Sequence, residues 1–292
     1  MKTAVLFIVF NRPETTRQIF EAIRAARPPK LYVAADGFRV GKDGEQERCE
    51  EVRRIATNID WPCELHTLFR DHNVGCKHGP AGAMDWFFQN EEDGIILEDD
   101  VLPLPSFFLF CDELLERYRH NEQVMMISGS NLITKRFRPI ESYFFERHTL
   151  IWGWATWRRA WSQFDVGIQS WPTWKAERGL LKAVNGDPSI EASWANAFDA
   201  VHSGGLDAWD YQWTYTCWRA GGFSALPEFN LTHNIGFGTD ATHTLMQPPR
   251  FITESVPHEL SFPLVHPQEV RRSNIADNII ERYVYGLNRT VF

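Results

Sequence analysis

Several motifs that would settle a function outright are missing from these 292 residues. There is no GxxxxGK[ST] loop, which argues against a P-loop kinase or ATPase. Neither GxGxxG nor GxSxG occurs, which argues against a dinucleotide enzyme and an α/β-hydrolase. HExxH is absent too. The five cysteines, at 49, 63, 76, 111 and 217, are odd in number and contain no CxxC. They read as reduced thiols rather than as a disulfide frame or a zinc site. No apolar run reaches ~18 residues, so no membrane span is expected. The apolar stretch Ala4–Phe10 is too short for a signal-peptide core, and a cytoplasmic location is expected. Runs of Lys or Arg are also lacking, and the formal net charge is -8. That charge speaks against a nucleic-acid partner. A chain so acidic can bind an anionic nucleotide only by concentrating a few cations, or a metal, at one site.

What is present is an alternation of strand and helix over the first hundred residues. Ala4–Phe10 reads as a buried parallel strand. Asn11 is placed to cap a helix that runs to about Arg27, with Pro13 in its first turn. Leu31–Ala35, Cys63–Phe69 and Gly94–Leu97 are the next strands, and helices are expected near Gln46–Asn58, Cys76–Gln89 and Pro105–Arg119. Val124–Ser128 is a further strand. This pattern predicts an α/β fold with a mainly parallel sheet flanked by helices. In such sheets ligands bind beyond the carboxyl ends of the strands. Asn11, Arg12, Asp36, Asp71 and Glu98–Asp100 all fall at such ends.

Composition then shifts. Ten of the twelve tryptophans lie between Trp152 and Trp218. With no Gly/Ser/Pro linker between the halves, residues 1–248 read as one domain: a nucleotide-binding half, 1–130, and a Trp-rich acceptor-side half, 131–248. Residues 249–292 read as a tail over the surface. Trp154, Trp157 and Trp161 have helical spacing and suit a core. Trp152-Gly-Trp154 could also meet a sugar, because its glycine permits close approach of the chain.

Three consecutive carboxylates, Glu98-Asp99-Asp100, follow a wholly apolar strand. Like charges this close repel unless a cation joins them. Carboxylate oxygens suit hard ions such as Mg²⁺ or Mn²⁺, which retain open positions for phosphate oxygens. If the strand stays extended through the triplet, Glu98 and Asp100 share one face and Asp99 takes the other. Asp210 is the candidate general base, flanked by Trp209 and Tyr211. Asp207 competes with it, and the two would share a face if the segment were helical. Lys77 and His78 precede a helix near the same rim and could meet phosphate. The run from Gly236 to His243 has the glycines and small polar residues of a closing loop, in which Thr242 and His243 could contact phosphate or metal.

The segment Gly94-Ile-Ile-Leu-Glu-Asp-Asp-Val-Leu-Pro-Leu-Pro-Ser-Phe-Phe108 resembles the acidic metal motif of GT-A glycosyltransferases, whose fold is Rossmann-like. It is most similar to the N-acetylglucosaminyltransferase I type. Phe7-Ile-Val-Phe-Asn-Arg-Pro13, Ala34-Ala-Asp-Gly37 and Trp209-Asp210 with Gly236-Phe-Gly238 resemble three further segments of that family, in order. The run Trp209-Asp-Tyr-Gln-Trp213 departs from the family pattern by one extra residue. The resemblance implies a metal-dependent transferase that moves a hexosyl or N-acetylhexosaminyl group from a UDP-sugar to a glycan or lipid-linked glycan, with inversion. It implies Asp100 as the ligand of Mn²⁺ or Mg²⁺. Glu98 and Asp99 would contact ribose and sugar, Asp36 the uracil, and Arg12 the donor. Two other classes stay open at this point: a sugar-nucleotidyltransferase, which would normally carry a glycine-rich basic segment after its first strand, and a non-catalytic carbohydrate-binding protein.

Overall fold

The structure, a computed structural model, describes residues 1–237 and 248–287. Its first part alternates as the sequence predicts: β1 (Val5–Val9), α1 (Pro13–Ala26), β2 (Lys30–Ala35), α2 (Glu45–Ala56), β3 (Glu64–Phe69), α3 (Gly75–Asn90) and β4 (Asp93–Glu98). Next come β5 (Val101–Pro103), α4 (Pro105–Arg117), β6 (Val124–Ser128), β7 (Tyr143–Glu146) and β8 (Trp154–Trp157). Short helices α5 (Arg158–Trp161), α6 (Trp171–Ala176) and α7 (Gly179–Ala183) lead to α8 (Pro188–His202) and α9 (Asp210–Arg219). The chain closes with β9 (Phe223–Pro227), β10 (Thr232–Asn234), α10 (Arg250–Glu254) and α11 (Asn274–Tyr283).

Eight strands form one sheet in the order β3-β2-β1-β4-β8-β6-β9-β7. The first four are parallel, and β6 pairs parallel with β9. Only β8 and β7 run against the rest. The expected α/β class, a mainly parallel sheet between helices, is therefore what the chain adopts. Alternation along the strands sorts residues onto two covered faces. Val5, Phe7 and Val9 point to the face packed by α1, α2 and α4, while Leu6, Tyr32 and Ile96 point to the face that holds α3 and most of the tryptophans.

Three local readings change. Asn11 does not cap α1: Arg12 is the N-cap residue, without a side-chain cap bond, and the Asn11 amide donates to Glu45 at 2.9 Å. Trp154 and Trp157 do not share a helix face. Both lie in strand β8, where a spacing of three sends them to opposite sides of the sheet, and each is buried in a different core. Residues after 248 do more than drape the surface. The α11 side chains Ala276, Asp277, Ile280 and Glu281 are all fully buried. Ser273 caps that helix by accepting the Ala276 N–H. Among the described residues no helix is long and apolar enough to cross a membrane.

Candidate active site

The carboxyl ends of β1, β2, β3 and β4 open into a cavity of about 670 Å³, closed on the far side by the start of α9. Arg12, Asp36, Arg70, Glu98, Asp100, Trp152 and Asp210 all line it. Of the residues expected at the strand ends, Arg12, Asp36 and Glu98–Asp100 line it, whereas Asn11 and Asp71 do not.

The acidic triplet forms one corner. β4 stops at Glu98, and residues 99 and 100 form a turn, so the extended backbone does not continue through the triplet. Asp99 turns inward and is 3% exposed. One of its oxygens accepts the Phe10 N–H at 3.0 Å, and the other accepts from Arg12 Nη2. Both oxygens hold the β1–α1 connection, and Asp99 still lines the cavity beside Asp100. Asp100 is less enclosed, and its Oδ2 accepts from Arg12 Nη1 at 3.0 Å. Burial pulls the Arg12 pKa down, but Asp99 and Asp100 outweigh it, and the guanidinium ends above its ordinary value. β10 pairs with β5 and delivers Ile235, whose N–H donates to the Asp100 carbonyl at 2.8 Å.

Glu98 is the group in this corner least able to ionise. Burial first, then Asp100 and Asp99, push its pKa up to about 8, with Asp210 adding to the rise. Without a further cation Glu98 holds its proton, and it can ionise only if positive charge beyond Arg12 reaches the corner. Glu98 and Asp100 both line the cavity, and carboxylate oxygens are the hard donors that Mg²⁺ or Mn²⁺ takes. A second group, Glu146, His148 and Asp277, has ligand atoms within 4.8 Å of one another and is buried away from the cavity. There His148 Nδ1 lies 2.7 Å from Glu146, and Arg272 Nε lies 3.1 Å from Asp277. Arg147 pairs with Glu281 beside them. Two guanidiniums face three carboxylates there, and burial first, then Asp277, holds the proton on Glu146; the cluster ties α11 to β7.

Asp36 lines the cavity, but its carboxylate is occupied by backbone. It accepts N–H groups from Gly37 at 3.0 Å, Val74 at 3.1 Å and Gly75 at 3.2 Å. It thus ties the end of β2 to the start of α3. Asp207 is similarly occupied: Lys77 N–H donates to it at 3.2 Å, and Gly75, with φ at +84°, packs against it. Helix α9 begins only at Asp210, so the two aspartates do not share a helix face. Asp210 sits in the first turn of α9 and lines the cavity.

Of the expected sugar-contacting tryptophans, Trp152 is half-buried and lines the cavity, with Phe237 edge-on at 6.4 Å. Trp154 is 1% exposed and stacks on Trp209 at 5.8 Å, inside the core and outside the cavity lining. His78 is exposed on α3 and does not line the cavity. Thr242 and His243 lie outside the described residues. Two arginines complete the lining: Arg70 directly after β3, and Arg39 in the loop after β2. Arg39 is held by the buried Glu45, which also takes the Asn11 amide, so one carboxylate joins the β1 and β2 loops. The strand-end rule reaches Arg70. Arg39, in a polar stretch without periodicity, gives no such signal.

No protein-family model and no curated protein matches the sequence. Solved structures do show likeness. A UDP-glucose pyrophosphorylase in complex with UDP-glucose is 12% identical with a TM-score of 0.28, over 51% of this chain and 64% of that one. Mouse xyloside xylosyltransferase 1 is 11% identical with a TM-score of 0.37, over 74% of this chain and 81% of that one. The glycosyltransferase GlyE of Streptococcus pneumoniae is 12% identical with a TM-score of 0.36, over 77% of this chain and 45% of that one. The chain thus spans less than two thirds of the pyrophosphorylase and of GlyE. At such scores the likeness decides nothing about chemistry, and function has to be read from the cavity.

Proposed function

We propose that this chain is a metal-dependent glycosyltransferase that moves a sugar, with inversion, from a UDP-sugar to a hydroxyl of a glycan or lipid-linked glycan. One observation carries the reading: the paired acids Glu98 and Asp100 face the same cavity as Asp210, with Arg12, Arg39 and Arg70 on its walls. Asp100, with Glu98, would hold Mn²⁺ or Mg²⁺. Bound there, the ion would act as a Lewis acid and offset the charge of the departing diphosphate. The arginines supply fixed positive charge for the same diphosphate, by forked hydrogen bonds that suit phosphate oxygens. Trp152 offers a flat apolar wall for a sugar ring.

Asp210, in the first turn of α9 and on the cavity wall, takes the base role in this reading. In transfer, the acceptor O–H gives its proton to the Asp210 carboxylate while that oxygen attacks the anomeric carbon. The bond from this carbon to the diphosphate breaks, and its electron pair leaves with the diphosphate. Asp36 would touch the base with an oxygen edge shared with backbone amides. A simple lectin has no use for three arginines and a crowded acidic corner in one cavity.

Calorimetric titration of UDP with and without Mn²⁺ tests the reading. Binding is expected to need the ion and to be lost in Asp100→Ala. Equally tight binding of UDP in EDTA would overturn the metal role.

A further inference from the structure

Arg12 reaches both Asp99 and Asp100, and this has a consequence for the order in which ligands enter. Its Nη1 lies 3.0 Å from Asp100 Oδ2, and its Nη2 holds Asp99. Gly236 presses on the same pair: a Cβ built there would lie 2.9 Å from Arg12 Nη1. Arg12 and Gly236 both line the cavity, so a ligand there can reach the guanidinium. Without any ligand, Asp100 has a covalently supplied counter-ion, so a free divalent cation must compete with a fixed positive charge for one carboxylate oxygen. A diphosphate in the cavity changes the competition, because its oxygens are better partners for a forked guanidinium than a shared carboxylate is.

On the reading of the site as a metal and nucleotide-diphosphate site, we infer that Arg12 is a resident counter-ion that makes divalent-cation binding conditional on the nucleotide diphosphate. Arg12 leaves Asp100 for the diphosphate, and the vacated oxygen becomes available to the cation. Asp99, fixed also by the Phe10 N–H at 3.0 Å, keeps the α1 start in place during that exchange. The coupling is reciprocal: the cation must raise affinity for UDP by the same factor by which UDP raises affinity for the cation.

The test titrates MnCl₂ into the full chain, alone and with saturating UDP, following heat and the loss of the free Mn²⁺ paramagnetic resonance signal. In the wild type, UDP is expected to tighten Mn²⁺ binding by about tenfold or more, within the usual range of site-to-site coupling. Arg12→Met removes the competing charge at similar length. It is expected to bind Mn²⁺ alone about tenfold tighter than the wild type, with a smaller effect of UDP. Arg12→Lys keeps a cation for the fold but cannot fork onto two carboxylates, so it is expected to shift Mn²⁺ binding the same way by a smaller factor. If the wild type with UDP binds Mn²⁺ but neither variant binds the ion alone more tightly, the inference is wrong and the metal site stands. If no form binds Mn²⁺ with UDP present, the metal reading itself falls.

Discussion

Gly236 packs directly on Asp100: a Cβ at 236 would lie 2.8 Å from Asp100 Cβ and 2.9 Å from Arg12 Nη1. Neither side can retreat easily. The Ile235 N–H is bonded to the Asp100 carbonyl, and β10 is paired with β5. Gly236→Ala is therefore expected to displace the Asp100 carboxylate and also to force the two backbone segments apart, because no rotamer change moves Asp100 Cβ. Overpacking of this kind costs about 1–3 kcal/mol. Urea denaturation should show a loss in that range, and transfer from UDP-sugar should fall far more than folding does. An alanine variant with unchanged transfer would show that Asp100 has room the structure does not display.

Asp207 and Asp210 should separate cleanly. Asp207 caps α3 through Lys77 N–H, so Asp207→Ala is expected to lower stability by about 1 kcal/mol, as the loss of a helix cap does. Asp210→Asn is expected to bind UDP as the wild type does and to lose about 10²–10⁴ in transfer rate, the usual worth of a positioned base. Donor affinity by calorimetry beside turnover distinguishes the two. Full transfer by Asp210→Asn would remove it from the mechanism.

Much of this arrangement was legible in the sequence, for physical reasons that can be named. The strands β1, β2 and β4 are continuous apolar runs because both faces of the sheet are covered, and turn or charged residues mark where each stops. That located Arg12, Asp36 and Glu98–Asp100 on one rim. Direction within the rim was not legible. That Asp99 accepts the Phe10 N–H from the cavity wall depends on the turn that ends β4, and three acids in a row carry no sign of it. Trp154 and Trp157 fit a helical period as well as a strand, and length alone could not choose. Asp277 and Glu281 resemble the solvated face of a terminal helix. Their burial depends on Arg147, which is distant in sequence, and on Arg272, which lies just ahead of the helix.

Those two arginines give a stability prediction. Arg147 and Glu281 are 2% and 0% exposed, and they pair where α11 meets β7. Removing one partner of a buried pair leaves an uncompensated charge, and Arg147→Met is expected to cost about 3–5 kcal/mol. Changing both, Arg147→Met with Glu281→Leu, should recover a large part of that loss. Urea midpoints of the single and double variants decide it. If the double variant is as unstable as the sum of its singles, the pair is not coupled.

The pH dependence of the cation-free chain follows from Glu98. Its pKa rises from 4.5 to about 8, by burial first and then by Asp100 and Asp99. Between those values the folded chain keeps a proton that the unfolded chain has released. The slope of stability against pH is then negative, so stability falls as pH rises through this window and levels off above it. Asp99, raised from 3.8 to about 6 by burial against the pull of Arg12, acts in the same sense at the lower end. Buried His148 and Glu146 also titrate out of their ordinary ranges, so the measurement is the difference between the wild type and Glu98→Gln, in which those groups are common. In thermal unfolding in EDTA at pH 5, 6, 7 and 8, the wild-type midpoint relative to Glu98→Gln, which cannot ionise, should decline as pH rises. A difference that stays flat over this range would mean that Glu98 is ionised throughout.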